Sequence, residues 1–344
     1  MQERSDNMLM DRPIRSTFAW LVVDTFRQAR ANGILYVLLA ISVISIAVCC
    51  TVGVSGAESL NIGGDPDDFL PRIDPQVTDT ARLEQSGVVV AGGTLTLGFG
   101  AIEVPVARTR NGAVHFLQLL LAGGVADTLG LMLALIWTAG FLPTFLDPRS
   151  ISVLLAKPAP RWVLLAGKYV GVLLFVLCYA VLFVVGTWLA IGVRTGIWTP
   201  AYLWAVPLLL LHFSIFFAFS VLLAVATRST VVCVLGSLVF WVVAWSMNFG
   251  RHAFFSATDL AGETLKSPLL AWVVDAGYWI LPKPADLGAL FYNTLGAGDH
   301  FGKLFDAEAL AAHGFSMTLS IASSVAFAAV VLIASMRSFG REDY

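Results

Sequence analysis

Residues 169–193, YVGVLLFVLCYAVLFVVGTWLAIGV, are 25 consecutive positions without a charged side chain. At about 1.5 Å per residue such a helix outreaches the roughly 30 Å hydrocarbon layer of a bilayer. The run is continuous rather than alternating, so it reads as a helix that satisfies its own backbone hydrogen bonds and not as a barrel strand. Five further stretches share this character: 34–54, 116–146 around GLMLALIWTAGFLPTFL, 203–227, 231–249 and 315–336. The fold class expected is an all-α integral membrane protein with six transmembrane helices. Composition agrees: 58% of residues are hydrophobic, only 13% are charged, and the mean hydropathy is +0.80. A soluble domain carries about 25% charged residues, and disorder needs low hydrophobicity, so both are excluded.

Six spans place both ends on one side. With the N-terminus inside, segments 1–33, 147–168, 228–230 and 337–344 hold twelve Lys and Arg in 66 residues, against nine in the 135 outer residues. Acidic residues lean outward, 15 of 23. The positive-inside rule therefore favours N-in and C-in. Net charge −2 and pI about 6.2 offer no basic footprint for nucleic acid. The four cysteines, Cys49, Cys50, Cys178 and Cys233, sit in apolar runs and suggest no disulfide framework.

The connecting segments have their own textures. No cleavable signal peptide is expected, because the first apolar run starts late and is long enough to span. Within 1–33, Ile14, Phe18, Leu21, Val22, Phe26 and Ala29 recur at helical spacing, with Arg15, Arg27 and Arg30 off that stripe. This predicts an amphipathic helix in the inner membrane interface. The outer segment 55–115 is acidic and turn-rich to Glu84. It then alternates, with Leu95, Leu97 and Phe99 against Thr94 and Thr96, and Ile102, Val104 and Val106 against Glu103. A small β element is expected there, with Asn111-Gly112 as a tight turn before Ala113 to Phe116. The outer segment 250–314 contains SPLLAWVVDAGYWILP, too short to span and interrupted by Asp275, which reads as a re-entrant or interfacial helix.

Catalytic signatures are missing. There is no H-E-x-x-H, no G-x-S-x-G and no Walker A pattern in the 344 residues. Gly296-Ala297-Gly298-Asp299 matches the short pattern of intramembrane aspartyl proteases, but it lies in a polar loop without a facing carboxylate. Two ionisable residues fall inside spans, Asp127 and His212. Such groups are costly in lipid and raise either a polar pathway lining or a structural contact between helices. Small residues at four-residue spacing, Gly167 and Gly171 in one helix and Ser316, Ser320, Ser324 and Ala328 in another, predict close helix packing within the chain or across a dimer.

The inner segment 147–168 is the most informative. Pro148 starts a short amphipathic stretch in which Ile151, Leu154 and Leu155 share a face and Ser150, Ser152 and Lys157 lie off it; Pro158 and Pro160 end it. A short rigid helix at the membrane surface suits the groove of a cytosolic partner. The run VLLAKPAPRWVLLAGKYVG (153–171), after a span ending GFLPTFLDP (140–148), resembles the inner loop of permease subunits of type-2 ABC exporters. The resemblance implies the pathway-forming subunit of an ATP-driven exporter in a cytoplasmic (inner) membrane of a bacterium. It implies a separate cytosolic ABC ATPase that carries the ATP and Mg, and a second permease chain, identical or not. It offers Arg149, Ile151, Leu154, Leu155, Lys157 and Arg161 as coupling candidates. No catalytic residue, cofactor or metal is expected on this chain. A membrane-anchored assembly protein and a membrane-embedded enzyme are the alternatives.

Overall fold

The computed structural model describes residues 18–55, 93–107, 110–146, 160–261, 268–295 and 316–341. The coupling candidates Arg149, Ile151, Leu154, Leu155 and Lys157, and the Gly296–Asp299 motif, lie outside them.

Helix α1, Phe18–Ala31, meets α2, Ile34–Cys50, at a bend of 76°. The break falls at Gly33, whose φ of 74° suits a residue without a Cβ. After α2 come the strands β1 (Gly53–Ser55), β2 (Gly93–Leu97) and β3 (Ile102–Ala107). The second apolar stretch is one long helical rod, α3 (Arg110–Leu119), a π-helical segment (Leu120–Gly130) and α4 (Leu131–Ala139), extended by the short α5 (Phe141–Phe145). Then follow α6 (Arg161–Thr195), α7 (Ala205–Thr227) behind a 3₁₀ turn at Pro200–Trp204, and α8 (Thr230–Ala261). Two shorter helices, α9 (Pro268–Ile280) and α10 (Pro284–Thr294), precede the last, α11 (Met317–Arg341). Five helical segments are long and apolar enough to cross a membrane, and α2 makes a sixth when joined to α1. The chain is an all-α membrane protein with one small sheet.

α6 and α8 exceed their apolar runs at both ends. The first span, read to Val54, stops as a helix at Cys50, because Thr51 caps it through its Oγ1 to the Val48 carbonyl and the chain turns into β1. The outer β element is present in the order β1-β2-β3, all antiparallel, with Leu95 opposite Val104 and Leu97 opposite Ile102. Two expectations fail there. Phe99 is not a strand residue: it sits in the β2–β3 turn with φ 58°, between Gly98 and Gly100, which also have positive φ. Asn111-Gly112 is not a turn: both residues lie in α3, whose buried face begins at Gly112, Ala113 and Val114. Burial against the sheet and α6 outweighs a two-residue turn preference.

The core is built where α7 is enclosed. His212, Phe213, Phe216, Phe217, Ser220 and Val221 are all buried on it, and it packs against α6, α8 and α11. Its neighbours are joined by polar contacts suited to a solvent that offers none. The Tyr169 hydroxyl donates to the Ser214 carbonyl at 2.9 Å, and Ser220 pairs with Ser237 at 2.6 Å. The Tyr179 hydroxyl reaches the Leu35 carbonyl of α2 at 2.9 Å. By contrast α2 and α8 turn apolar side chains outward, including Val43, Ile44, Val231, Leu235 and Val239.

Candidate functional site

The sheet lies at one end of the bundle and α1 at the other. At the α1 end, Leu21, Thr25 and Ala29 form one buried face. That face lies on the two glycines of α6. A Cβ built on Gly167 would stand 2.5 Å from Leu21 Cδ1, and one on Gly171 would stand 2.7 Å from Thr25 Oγ1 and 3.4 Å from the Val22 backbone. The partner of this glycine pair is therefore α1 of the same chain. Beside it Lys168 is fully buried. Its Nζ donates to Asp24 Oδ2 at 3.0 Å and Gln28 Oε1 at 2.8 Å, under the rings of Phe141 and Phe145. Gln28 in turn donates to Thr144 Oγ1 at 2.8 Å, so one polar knot ties α1, α5 and α6. Arg161, partly exposed, opens α6 about two turns before Lys168.

Replacing Gly171 by Leu should lift α1 off α6, because the backbone at Val22 cannot yield as a side-chain tip can. Amide exchange over 18–31 is expected to quicken by about tenfold or more while that of α7 stays unchanged. Unaltered exchange would show that α1 does not depend on this contact.

In the middle of the bundle Asp127 and His212 meet. His212 Nδ1 lies 2.5 Å from Asp127 Oδ1, and both residues are buried. Each was singled out alone as an ionisable residue in a span; the structure makes them one pair linking the second rod to α7. Asp127 stands on the π-helical segment, where Gly123 and Gly124 ease the wider turn and Thr128 Oγ1 bonds the Gly123 carbonyl at 3.0 Å.

The pair borders a cavity of about 390 Å³. The second rod contributes Phe116, Gly123 and Asp127 to its wall, α8 contributes Trp241 and Trp245, and α10 contributes Gly288 and Tyr292. His212 Nε2 and Trp241 Nε1 are buried without a hydrogen-bond partner.

The α10 wall is anchored from behind by Asp286. Its Oδ1 accepts from Asn248 Nδ2 at 2.9 Å and lies 2.6 Å from His252 Nε2; its Oδ2 accepts from the Tyr278 hydroxyl at 2.7 Å and from the Ser320 hydroxyl. Asn248 Oδ1 also accepts the backbone N–H groups of Ala285 and Asp286, at 2.7 and 3.0 Å. A residue of α8 thus caps α10, which has no side-chain cap of its own. The Lys283 N–H donates to Ser324 Oγ at 3.2 Å and its Nζ to Ser323 Oγ at 2.6 Å. Burial pulls the Lys283 ammonium down to about 8, with Arg251 adding to the fall and Asp286 opposing it. Burial pushes the Asp286 carboxyl up, but the hydrogen bonds from His252, Ser320, Asn248 and Tyr278 reverse this and hold it below its ordinary value.

Ser320, Ser324 and Ala328 of the small-residue stripe are buried and Ser316 is half-exposed. The first two serve this anchor and α11 packs on α7, so their close approach is made inside the chain. Asp286, Asn248, His252 and Tyr278 carry no spacing signal that sequence reading could use. The one hint is Pro284 with an acid two residues on, a helix-start pattern.

No group of three or more metal-ligating side chains occurs among the described residues. No curated protein matches the chain. The sequence profile of the ABC-2 family transporter proteins matches residues 25–344.

Proposed function

This chain belongs to the ABC-2 family of transporter proteins, and from that premise we propose that it is the pathway-forming permease subunit of an ATP-driven exporter, moved by a separate cytosolic ATPase. The observation that carries the reading is the family match over nearly the whole chain. The geometry supports it in two places. The segment 147–159, which holds five of the six proposed coupling residues, joins α5 to α6, the two elements that the Lys168 knot ties to α1. A push on that segment would be passed to α1 and to the long rod of α6. Further along, the cavity beside Asp127 and His212 is the candidate section of the substrate pathway, with α10 forming part of its wall.

On this reading the α1 end faces the cytosol of a bacterial cell. Among the described residues it carries Arg27, Arg30, Arg161, Lys168, Arg228, Arg337 and Arg341, against Arg110, Arg194, Arg251 and Lys283 toward the sheet. The cycle needs an ATPase that contacts the inward and outward arrangements with different free energies. A second permease chain, identical or similar, completes the pathway, and the exposed apolar faces of α2 and α8 meet it or the lipid.

Affinity purification of the tagged chain from its native membrane, in mild detergent, is the test. Recovery of a stoichiometric chain bearing a Walker A motif is expected. Recovery of the chain alone, or with extracytoplasmic proteins only, would favour an assembly or anchoring role.

A further inference from the structure

We propose that the cavity between the second rod, α7, α8 and α10 binds a hydrophobic organic cation, an inference that takes its biological use from the permease reading above. The charge inventory comes first. Its lining contains one carboxylate, Asp127, one histidine, His212, and neither Lys nor Arg. The pair carries charge −1 with His212 neutral and zero with it protonated. A bound anion would therefore find no positive complement in a low-dielectric setting, where an unpaired charge is costly. A cation finds Asp127, whose side chain keeps 8% of its surface open against 2% for His212.

Aromatic side chains extend the argument. Phe116, Trp241, Trp245 and Tyr292 line the same space. A desolvated organic cation within about 6 Å of such rings is attracted by the negative face of each. A small metal ion is a poor fit, since no cluster of three ligating side chains exists among the described residues. The volume of about 390 Å³ lies within the range of small-molecule pockets. Space is also built in: a Cβ added at Gly123 or Gly288 meets nothing within 4 Å.

Tritiated tetraphenylphosphonium is the probe, with tetraphenylborate as a competitor of the same shape and opposite charge, on the purified full chain. Saturable binding is expected that tetraphenylborate does not displace. Asp127→Asn should weaken it by at least about tenfold by removing the charge. Gly288→Leu should do the same by filling the space, with the carboxylate and the fold kept. Equal displacement by tetraphenylborate, or binding indifferent to Gly288→Leu, overturns the proposal whatever becomes of the Asp127 variant. If such a failure occurs while the ATPase still co-purifies, the permease reading stands and only the cation site falls. Saturable, charge-selective binding without any ATPase partner would support the site and remove the permease reading.

Discussion

Substituting Ala for Asp286 is expected to lower the melting temperature of the detergent-solubilised protein by about 10 °C. Four buried groups on three helices, Asn248 and His252 on α8, Tyr278 on α9 and Ser320 on α11, aim at this one carboxylate. Each donor left without an acceptor costs about 1–3 kcal/mol, and removing one member of a buried charged network typically costs about 3–5 kcal/mol in all, since the losses do not add. At about 2–4 °C per kcal/mol for a chain of this size class, the shift follows. Ser320→Ala should cost far less, about 1 kcal/mol, because only one donor is lost. Asp286→Asn should fall between, since its amide keeps one acceptor and offers hydrogens that the Tyr278 and Ser320 oxygens can accept. The pH dependence has a definite sign. The folded-state pKa of Asp286 is depressed, so its contribution is complete above the ordinary carboxylate value of about 4 and is lost as pH falls through the lower folded value. The gap between wild type and Asp286→Ala should narrow as pH falls through that lower folded value. A gap that vanished near neutrality would mean the carboxylate is not the ionised acceptor described.

The second large effect concerns Leu154 and Leu155. On the proposed reading their apolar faces seat in a groove of the ATPase, and apolar anchors near the centre of such a contact carry most of its free energy. Leu154→Asp with Leu155→Asp buries two carboxylates there without partners, at several kcal/mol. Loss of about 4 kcal/mol lowers an affinity roughly a thousandfold. Co-purification of the ATPase should disappear while the amount of chain in the membrane is unchanged. Full recovery of the ATPase would remove these two residues from the coupling role.

What could be read from the amino-acid order was governed by the range of each interaction. Apolar runs such as 169–193 need only the bilayer to declare themselves; five fall on helices long and apolar enough to cross it, and the sixth does so when α2 is joined to α1. Gly167 and Gly171 signalled close approach, but the spacing of a helix's small residues carries no information on who approaches; the answer, α1, needed the 76° bend at Gly33. Asp127 and His212 were each costly in lipid and so were visible singly. Their pairing is separated by 85 positions and depends on how the second rod crosses α7. Asp286 went unremarked for the opposite reason: it lies in what reads as an outer loop, where a carboxylate is free. Only the tertiary burial of α10 beneath α8, α9 and α11 makes it expensive and therefore structural. Asn111-Gly112 shows the reverse error, a strong local turn preference overridden because the adjacent residues are buried in α3.

The most direct test of the account is photo-cross-linking in intact cells from a light-activated amino acid placed at position 154, with the captured partner identified by mass spectrometry. Capture of a Walker-bearing cytosolic ATPase is expected. Capture of an extracytoplasmic protein instead, or reaction of that position with a membrane-impermeant reagent added outside, would contradict it.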